Sequence, residues 1–305
     1  MPRQPTTKKL GNAYRCAQRQ MPVQRVDRME FLADSPTSSY VIDGGRSGAA
    51  RLAVLARVRA SASEDFMRRA GLRAGHRCLD LGCGSGELTY RLAELAAPGD
   101  VVGVDFDRGV VAVATERAAQ APMAPGPRFI VADVHSLPDG LGQFDLISAR
   151  YLLGHLRDPL AVLRTMRSLL VPGGVVAVED TNVDAMSAEP RCPALNRCIE
   201  LNRALTRARG LPQRLGPRLA GLLARAGFED IEESVDQEVA RDGEGKRLTE
   251  LTLERKRTAL IKEGLTDDAE IDALLAELRR FSADPRTLVR SPRLHQVLGR
   301  RPVSA

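Results

Sequence analysis

The sequence predicts an α/β protein: a doubly wound, mostly parallel sheet with helices on both faces. Three observations carry that expectation. The apolar runs at 78–81, 101–105, 129–134, 144–150 and 175–179 are short and nearly continuous, as strands buried on both faces are. Segments with helical apolar spacing separate them, so strand and helix alternate along the chain. A turn carrying Gly82, Gly84 and Gly86 joins the first run to the helix after it.

Residues 1 to about 38 show no sustained periodicity and are rich in Arg, Gln, Pro and Ser, which predicts a disordered or loosely held extension. They hold seven basic and three acidic residues, so +4 of the net charge of +6 sits there and the other 267 residues are nearly neutral. A basic arm touching nucleic acid and a start at Met21 or Met29 are alternative readings. From Tyr40 the pattern sharpens into a helix that includes Leu52 and Leu55. A second short helix is expected over about 64–70, ended by Gly71 as a C-cap.

Cys78-Leu79-Asp80-Leu81 is the first strand, and 87–96 returns to helical spacing with Leu88, Leu92 and Leu95. Strand, glycine turn and helix make a nucleotide cradle: glycines allow tight angles and close approach, and the helix start offers free N–H groups. A dinucleotide fingerprint reads G-x-G-x-x-G. Here its third glycine position is Glu87, where a pyrophosphate would meet an acid. Asp80 and Glu87 suit a ligand bringing positive charge and no phosphate, such as S-adenosylmethionine.

Val101 to Asp105 is the second strand, and its closing acid lies 23 residues after Gly82, the spacing at which a carboxylate accepts hydrogen bonds from ribose hydroxyls. Phe106 is placed to pack on an adenine ring, and Asp107 to cap a helix over about 108–120. Phe129 to Val134 is the third strand and Phe144 to Arg150 the fourth with its exit. Asp158-Pro159 opens the next helix, with Asp as N-cap and Pro at the first helical position. Val171-Pro172-Gly173-Gly174 stops that helix, and 175–179 is the fifth strand.

Two helical stretches within about 181–227, ending at Gly227, stand where a plain doubly wound domain would have one helix. Residues 228–240 read as an imperfect strand. Two further helices are expected at 247–263 and 267–281, the second opened by Asp267 and Glu270 as a capping box. A last strand is expected over 288–299, with Pro292 at an edge or bulge.

The stretch LDLGCGSG at 79–86 resembles the first motif of the class I S-adenosylmethionine-dependent methyltransferases. FDLISARYLLGHLRDP and LLVPGGVVAVED resemble their later motifs in order. The resemblance covers roughly 40–240 and implies a Rossmann-like fold with a seven-stranded sheet and extra helices over the site. The domain would be residues 39–305, with substrate-cover insertions at about 181–227 and 247–281.

The resemblance implies a cofactor site made by Tyr40, Asp80, Gly82, Gly84, Gly86, Asp105, Phe106, Asp133, Val134 and Arg150. Asp133 matches an acid that accepts from the adenine amino group, or it caps a helix. Tyr40 matches an aromatic at the methionine end, or it packs in a lid. Arg150 meets the cofactor carboxylate or a substrate anion, or forms a surface ion pair. His155, just after the fourth strand, is the candidate general base, or a structural histidine. Glu179 and Asp180 end the fifth strand where substrates meet the sheet, while His76 and His295 read as structural and His135 as too far round the site for catalysis.

The activity implied is methyl transfer to a small molecule, its acceptor atom open, by an in-line displacement that rests mainly on positioning. Nucleic-acid modification is the rival, but SARYLLGH lacks the Asn/Asp-Pro-Pro-aromatic motif that stacks a flipped base. A cofactor-binding protein without catalysis is the third reading. The five cysteines are scattered with no C-x-x-C, arguing against a disulfide framework or a metal site. No apolar run approaches the ~18 residues of a membrane span, and no signal peptide is visible. A cytoplasmic monomer or homodimer is expected.

Overall fold

The computed structural model describes residues 45–120 and 126–303. The N-terminal extension and Tyr40 lie outside them. Helix α1 spans Gly45–Arg69. Strand β1 (Cys78–Leu81), helix α2 (Glu87–Ala96), β2 (Val101–Asp105), α3 (Arg108–Gln120) and β3 (Arg128–Val131) follow. Then come β4 (Phe144–Arg150), α4 (Pro159–Leu169), β5 (Leu170–Asn182), β6 (Ser187–Glu189), α5 (Pro193–Ala208) and α6 (Leu219–Ala226). The chain closes with β7 (Glu229–Asp236), β8 (Val239–Ala240), α7 (Leu248–Lys262), α8 (Asp268–Ala283), β9 (Leu288–Arg290) and β10 (Arg293–Arg300).

Seven strands form the main sheet in the order β3-β2-β1-β4-β5-β10-β7. The first five pair in parallel, and β10 runs antiparallel between β5 and β7. This is the doubly wound, mostly parallel seven-stranded sheet expected, with helices on its faces. Strand order reverses between β1 and β4, where open α/β sheets open a crevice at their carboxyl ends. Leu79, Leu81, Val102, Val104, Ile147, Val176 and Val178 fill the sheet's interior and pack on Leu163, Met166, Leu219 and Leu223 from α4 and α6. Leu, Val and Ala do this work because the chain has no Trp and few aromatics.

Several elements differ from expectation. The two early helices are one: α1 runs unbroken to Arg69, and its buried Phe66 and Met67 pack beside Leu88 and Leu92 of α2. Strand β3 ends at Val131, before Asp133, because it is the sheet's edge and is only partly covered. Strand β5 begins at Leu170, earlier than Val175. The expected strand at 228–240 divides into β7 and β8, and that at 288–299 into β9 and β10 with Pro292 at the break. Proline cannot donate to a ladder, and the chain there passes from a three-stranded sheet, β6-β9-β8, into the main one.

A second core lies away from the main sheet. Leu195, Ile199 and Leu205 of α5 pack on Leu253 and Leu260 of α7 and on Ile271, Leu275 and Leu278 of α8. The capping box of α8 forms by half. Asp267 accepts from the Glu270 N–H at 2.8 Å, but the Glu270 carboxylate turns to Thr266 and Arg197.

Candidate functional site

The turn after β1 is built as its glycines require. Gly82, Gly84 and Gly86 have φ of +71°, +53° and +84°, angles that side-chain-bearing residues rarely adopt. Space is also tight. A Cβ on Gly86 would stand 2.8 Å from the Phe129 ring, one on Gly84 2.9 Å from Leu52 of α1, and one on Gly82 3.1 Å from Leu152. The turn is thus roofed by α1 on one side and by the exit of β4 on another.

Asp105, at the carboxyl end of β2, is locked in place from below. Its Oδ2 accepts the Gly84 N–H at 2.9 Å and its Oδ1 the Asp107 N–H at 3.0 Å. Burial pushes its pKa upward, against the lowering effect of those bonds. One carboxylate therefore ties the glycine turn to the second strand. Phe106 beside it is 48% exposed, and Asp107 caps α3 through the Gly109 and Val110 N–H groups.

Asp80 is buried beneath the turn. Thr89 donates to its Oδ2 at 2.7 Å and Ser148 to its Oδ1 at 2.8 Å. Burial raises its pKa to about 6, while the two hydroxyls and the nearby Arg150 guanidinium pull it down. Arg150 itself donates to Ser63 of α1 at 3.1 Å. Glu87 does not present a free charge to the turn. It pairs with Arg117 of α3 at 2.7 Å and accepts from Ser85. Glu87, paired with Arg117, therefore presents little charge to a phosphate, and Asp80 and Asp105 carry the acidic character.

Asp133 is exposed in the turn after β3, where one oxygen accepts the His135 N–H at 2.9 Å. Val134 belongs to the core, so its side chain faces away from solvent. Asp80, the three glycines, Asp105 and Phe106 thus meet at the ends of β1 and β2, with Asp133 at the end of β3. His155 sits apart from them.

A cavity of about 250 Å³ lies beyond the ends of β4 and β5. Its walls include Arg51 and Leu55 of α1, His155, Asp180, Ile199 of α5 and Lys256 of α7. The pKa of His155 is lowered to about 3 by burial and by the positive charges of Lys256 and Arg51. It is therefore neutral at physiological pH. Asp180 accepts the Gly154 and Thr181 N–H groups at 2.7 Å each, yet burial raises its pKa to about 6.

Two cavity residues escaped the sequence reading. Tyr151 has φ +56°, a strained angle for a bulky residue, and its N–H donates to Glu179. Only the backbone reveals it. Lys256 stands among ordinary helix residues, and nothing in the spacing of α7 separates it from the surface lysines. Among the described residues, no group of three or more His, Cys, Asp or Glu is placed to hold a metal ion.

Residues 72–218 match the family model described as a methyltransferase domain. Over 109 residues the chain is 37% identical to a 2-phytyl-1,4-naphtoquinone methyltransferase of Nostoc punctiforme, covering 35% of this chain and 47% of that one. Over 116 residues it is 36% identical to a ubiquinone biosynthesis O-methyltransferase of Pseudomonas aeruginosa, covering 37% and 47%. The match thus spans about half the length of these curated relatives. In structure it is similar to YcgJ of Bacillus subtilis, with a TM-score of 0.53 at 18% identity over 79% of this chain and 99% of that one. It is also similar to the [4+2]-cyclase SpnF, with a TM-score of 0.50 at 21% identity over 80% and 82%. These two likenesses show the fold.

Proposed function

We propose, from the match of residues 72–218 to the methyltransferase-domain model, that this chain binds S-adenosylmethionine at the turn after β1 and methylates a small molecule. The observation that carries the reading is Asp105: a carboxylate held by two backbone N–H groups against a turn of three positive-φ glycines. An anchored carboxylate accepts two ribose hydroxyls without reorganising. The same carboxylate disfavours a phosphorylated ribose. The residues fit the cofactor. Gly82 and Gly84 leave room for close approach, Phe106 offers a face for adenine, and Asp133 an acceptor at the far edge. Asp80 and Arg150 bear on the charged methionine end. The proposed site takes in Leu52, so α1 is its lid, and ligand entry moves that side chain from Gly84.

Bound S-adenosylmethionine supplies an electrophilic methyl on sulfonium, with a neutral thioether as leaving group. The chain's task is then placement. The cavity beyond β4 and β5 holds the acceptor, and α5 to α8 are its cover. His155, lining that cavity, takes the acceptor's proton where one must leave only once a bound ligand lifts its pKa from about 3. Within residues 39–305, the insertions at about 181–227 and 247–281 shape specificity.

No described helix is long and apolar enough to cross a membrane, and the described cysteines are free thiols. The reading includes work in the cytoplasm, as a monomer or homodimer. One observation favours a second reading: the likeness to a [4+2]-cyclase shows that this fold is not confined to methyl transfer. Mass spectrometry of metabolite extracts incubated with methyl-labelled cofactor tests the choice. Label entering a metabolite supports transfer, and a product formed without label or cofactor use contradicts it.

A further inference from the structure

We infer that the cavity beyond β4 and β5 takes a small organic anion, apolar in body, whose negative group docks on Lys256. This rests on the reading of that cavity as the acceptor site and names the class of acceptor.

The charges around the cavity do not balance locally. Its other charged groups are engaged. Asp184 pairs with both Arg203 and Arg214, Arg59 donates to Asp236 at 2.7 Å, and Asp180 accepts two backbone N–H groups. Lys256 differs. Its ammonium donates to Asn202 Oδ1, a neutral acceptor one turn beyond Cys198 on α5, and among the described residues no carboxylate lies within ion-pair distance. An ammonium carries three donors and no acceptor. A charge enclosed in protein without a counterion is costly.

The groups facing Lys256 from neighbouring elements make this worse. Arg51 of α1, His155 after β4 and Cys198 of α5 all lie close enough to Lys256 to interact with it electrostatically. Arg51 adds positive charge, and burial together with Arg51 draws the Lys256 pKa down to about 8. The cavity floor and walls are otherwise largely apolar, with Leu55, Met186, Leu195, Ile199 and Leu253. A largely apolar cavity whose charged groups leave a positive excess, with Lys256 the cation that no carboxylate among the described residues pairs, selects a carboxylate or phenolate on a hydrocarbon body. Such a ligand neutralises Lys256, weakens the positive field on His155 and raises that imidazole's affinity for a proton. Anion binding therefore improves His155 as a base.

The test uses a matched pair, 2-naphthoate and 2-naphthamide, titrated calorimetrically into the full chain at pH 7 with S-adenosylhomocysteine present. They share a shape and differ in charge. Naphthoate should bind at least tenfold more tightly. Lys256→Met should abolish the preference for naphthoate over naphthamide, and Lys256→Arg should restore it. Equal affinities, tighter naphthamide binding, no binding of either, or a preference surviving in Lys256→Met would overturn the inference. S-adenosylhomocysteine affinity, measured on the same samples, separates the two ideas. Tight cofactor binding without anion preference sinks this inference alone. Anion preference without cofactor binding sinks the methyltransferase reading instead.

Discussion

Asp80→Asn should make the protein more stable and a poorer cofactor binder. The wild-type carboxylate is buried, and burial lifts its pKa from 3.8 to about 6. The folded chain therefore holds the proton more tightly than the unfolded chain. The stability from that difference is fully present below about pH 4 and is lost as pH rises through 6. At about 1.4 kcal/mol per pH unit, the loss by pH 8 is about 3 kcal/mol. Asparagine keeps an oxygen for Thr89 or Ser148 and offers an amide to the other, with no charge to desolvate. Urea unfolding at pH 8 should show the variant gaining up to about 3 kcal/mol, while at pH 4 the two proteins should be alike. In calorimetry the variant should bind S-adenosylmethionine about tenfold more weakly, a loss of about 1.4 kcal/mol, because the cationic end loses its acid. A less stable variant at pH 8, a gain equal at both pH values, or unaltered affinity would refute the reasoning.

Four further outcomes are expected. Asp105→Ala strands the Gly84 and Asp107 N–H groups and removes the ribose acceptor. Affinity for S-adenosylhomocysteine should fall about 100-fold or more, with about 2 kcal/mol of stability lost, as calorimetry and urea melts will show. Gly86→Ala places a methyl 2.8 Å from the Phe129 ring at φ +84°. It should cost about 2–4 kcal/mol, read by thermal unfolding. Glu179→Ala removes the buried acceptor shared by Ser63 of α1 and Gln296 of β10. It should loosen α1, seen as faster amide exchange across residues 55–69, at a cost of about 2 kcal/mol. His155 stays neutral in the folded chain down to about pH 3, while in the unfolded chain it protonates near 6.5. Its contribution is present above pH 6.5 and lost as pH falls toward 3. His155→Gln should therefore flatten the acid limb of a stability–pH curve and leave the limb above pH 7 unchanged.

The parallel core of the sheet was legible because β1, β2, β4 and the buried part of β5 are apolar runs bounded by turns, and burial on both faces leaves such a pattern. The turn glycines were legible because their spacing answers a backbone need that the φ angles display. The edges were not. Strand β3 is an edge strand and only partly covered, so it stops at Val131 although the apolar run goes on to Val134. Strands β9 and β10 are adjacent in sequence but belong to different sheets, and Pro292 marks a change of sheet where an edge or bulge was expected. Helix α1 read as two pieces because Ser61 and Ser63 interrupt its apolar pattern. Ser63 is buried and donates to Glu179, a long-range contact invisible to local spacing. Glu87 looked like a free acid because its partner, Arg117, lies 30 residues away. At the cavity, Tyr151 is marked by a backbone angle and Lys256 by groups brought to it from α1, from α5 and from the stretch after β4, so neither has a signature in linear sequence.

The most direct measurement is a calorimetric titration of the full chain with S-adenosylhomocysteine and, separately, with NADH. The account predicts one bound S-adenosylhomocysteine per chain, displaced by S-adenosylmethionine and abolished in Gly84→Val, and no heat from NADH. Preference for NADH, or no binding of either sulfur nucleoside, would contradict it.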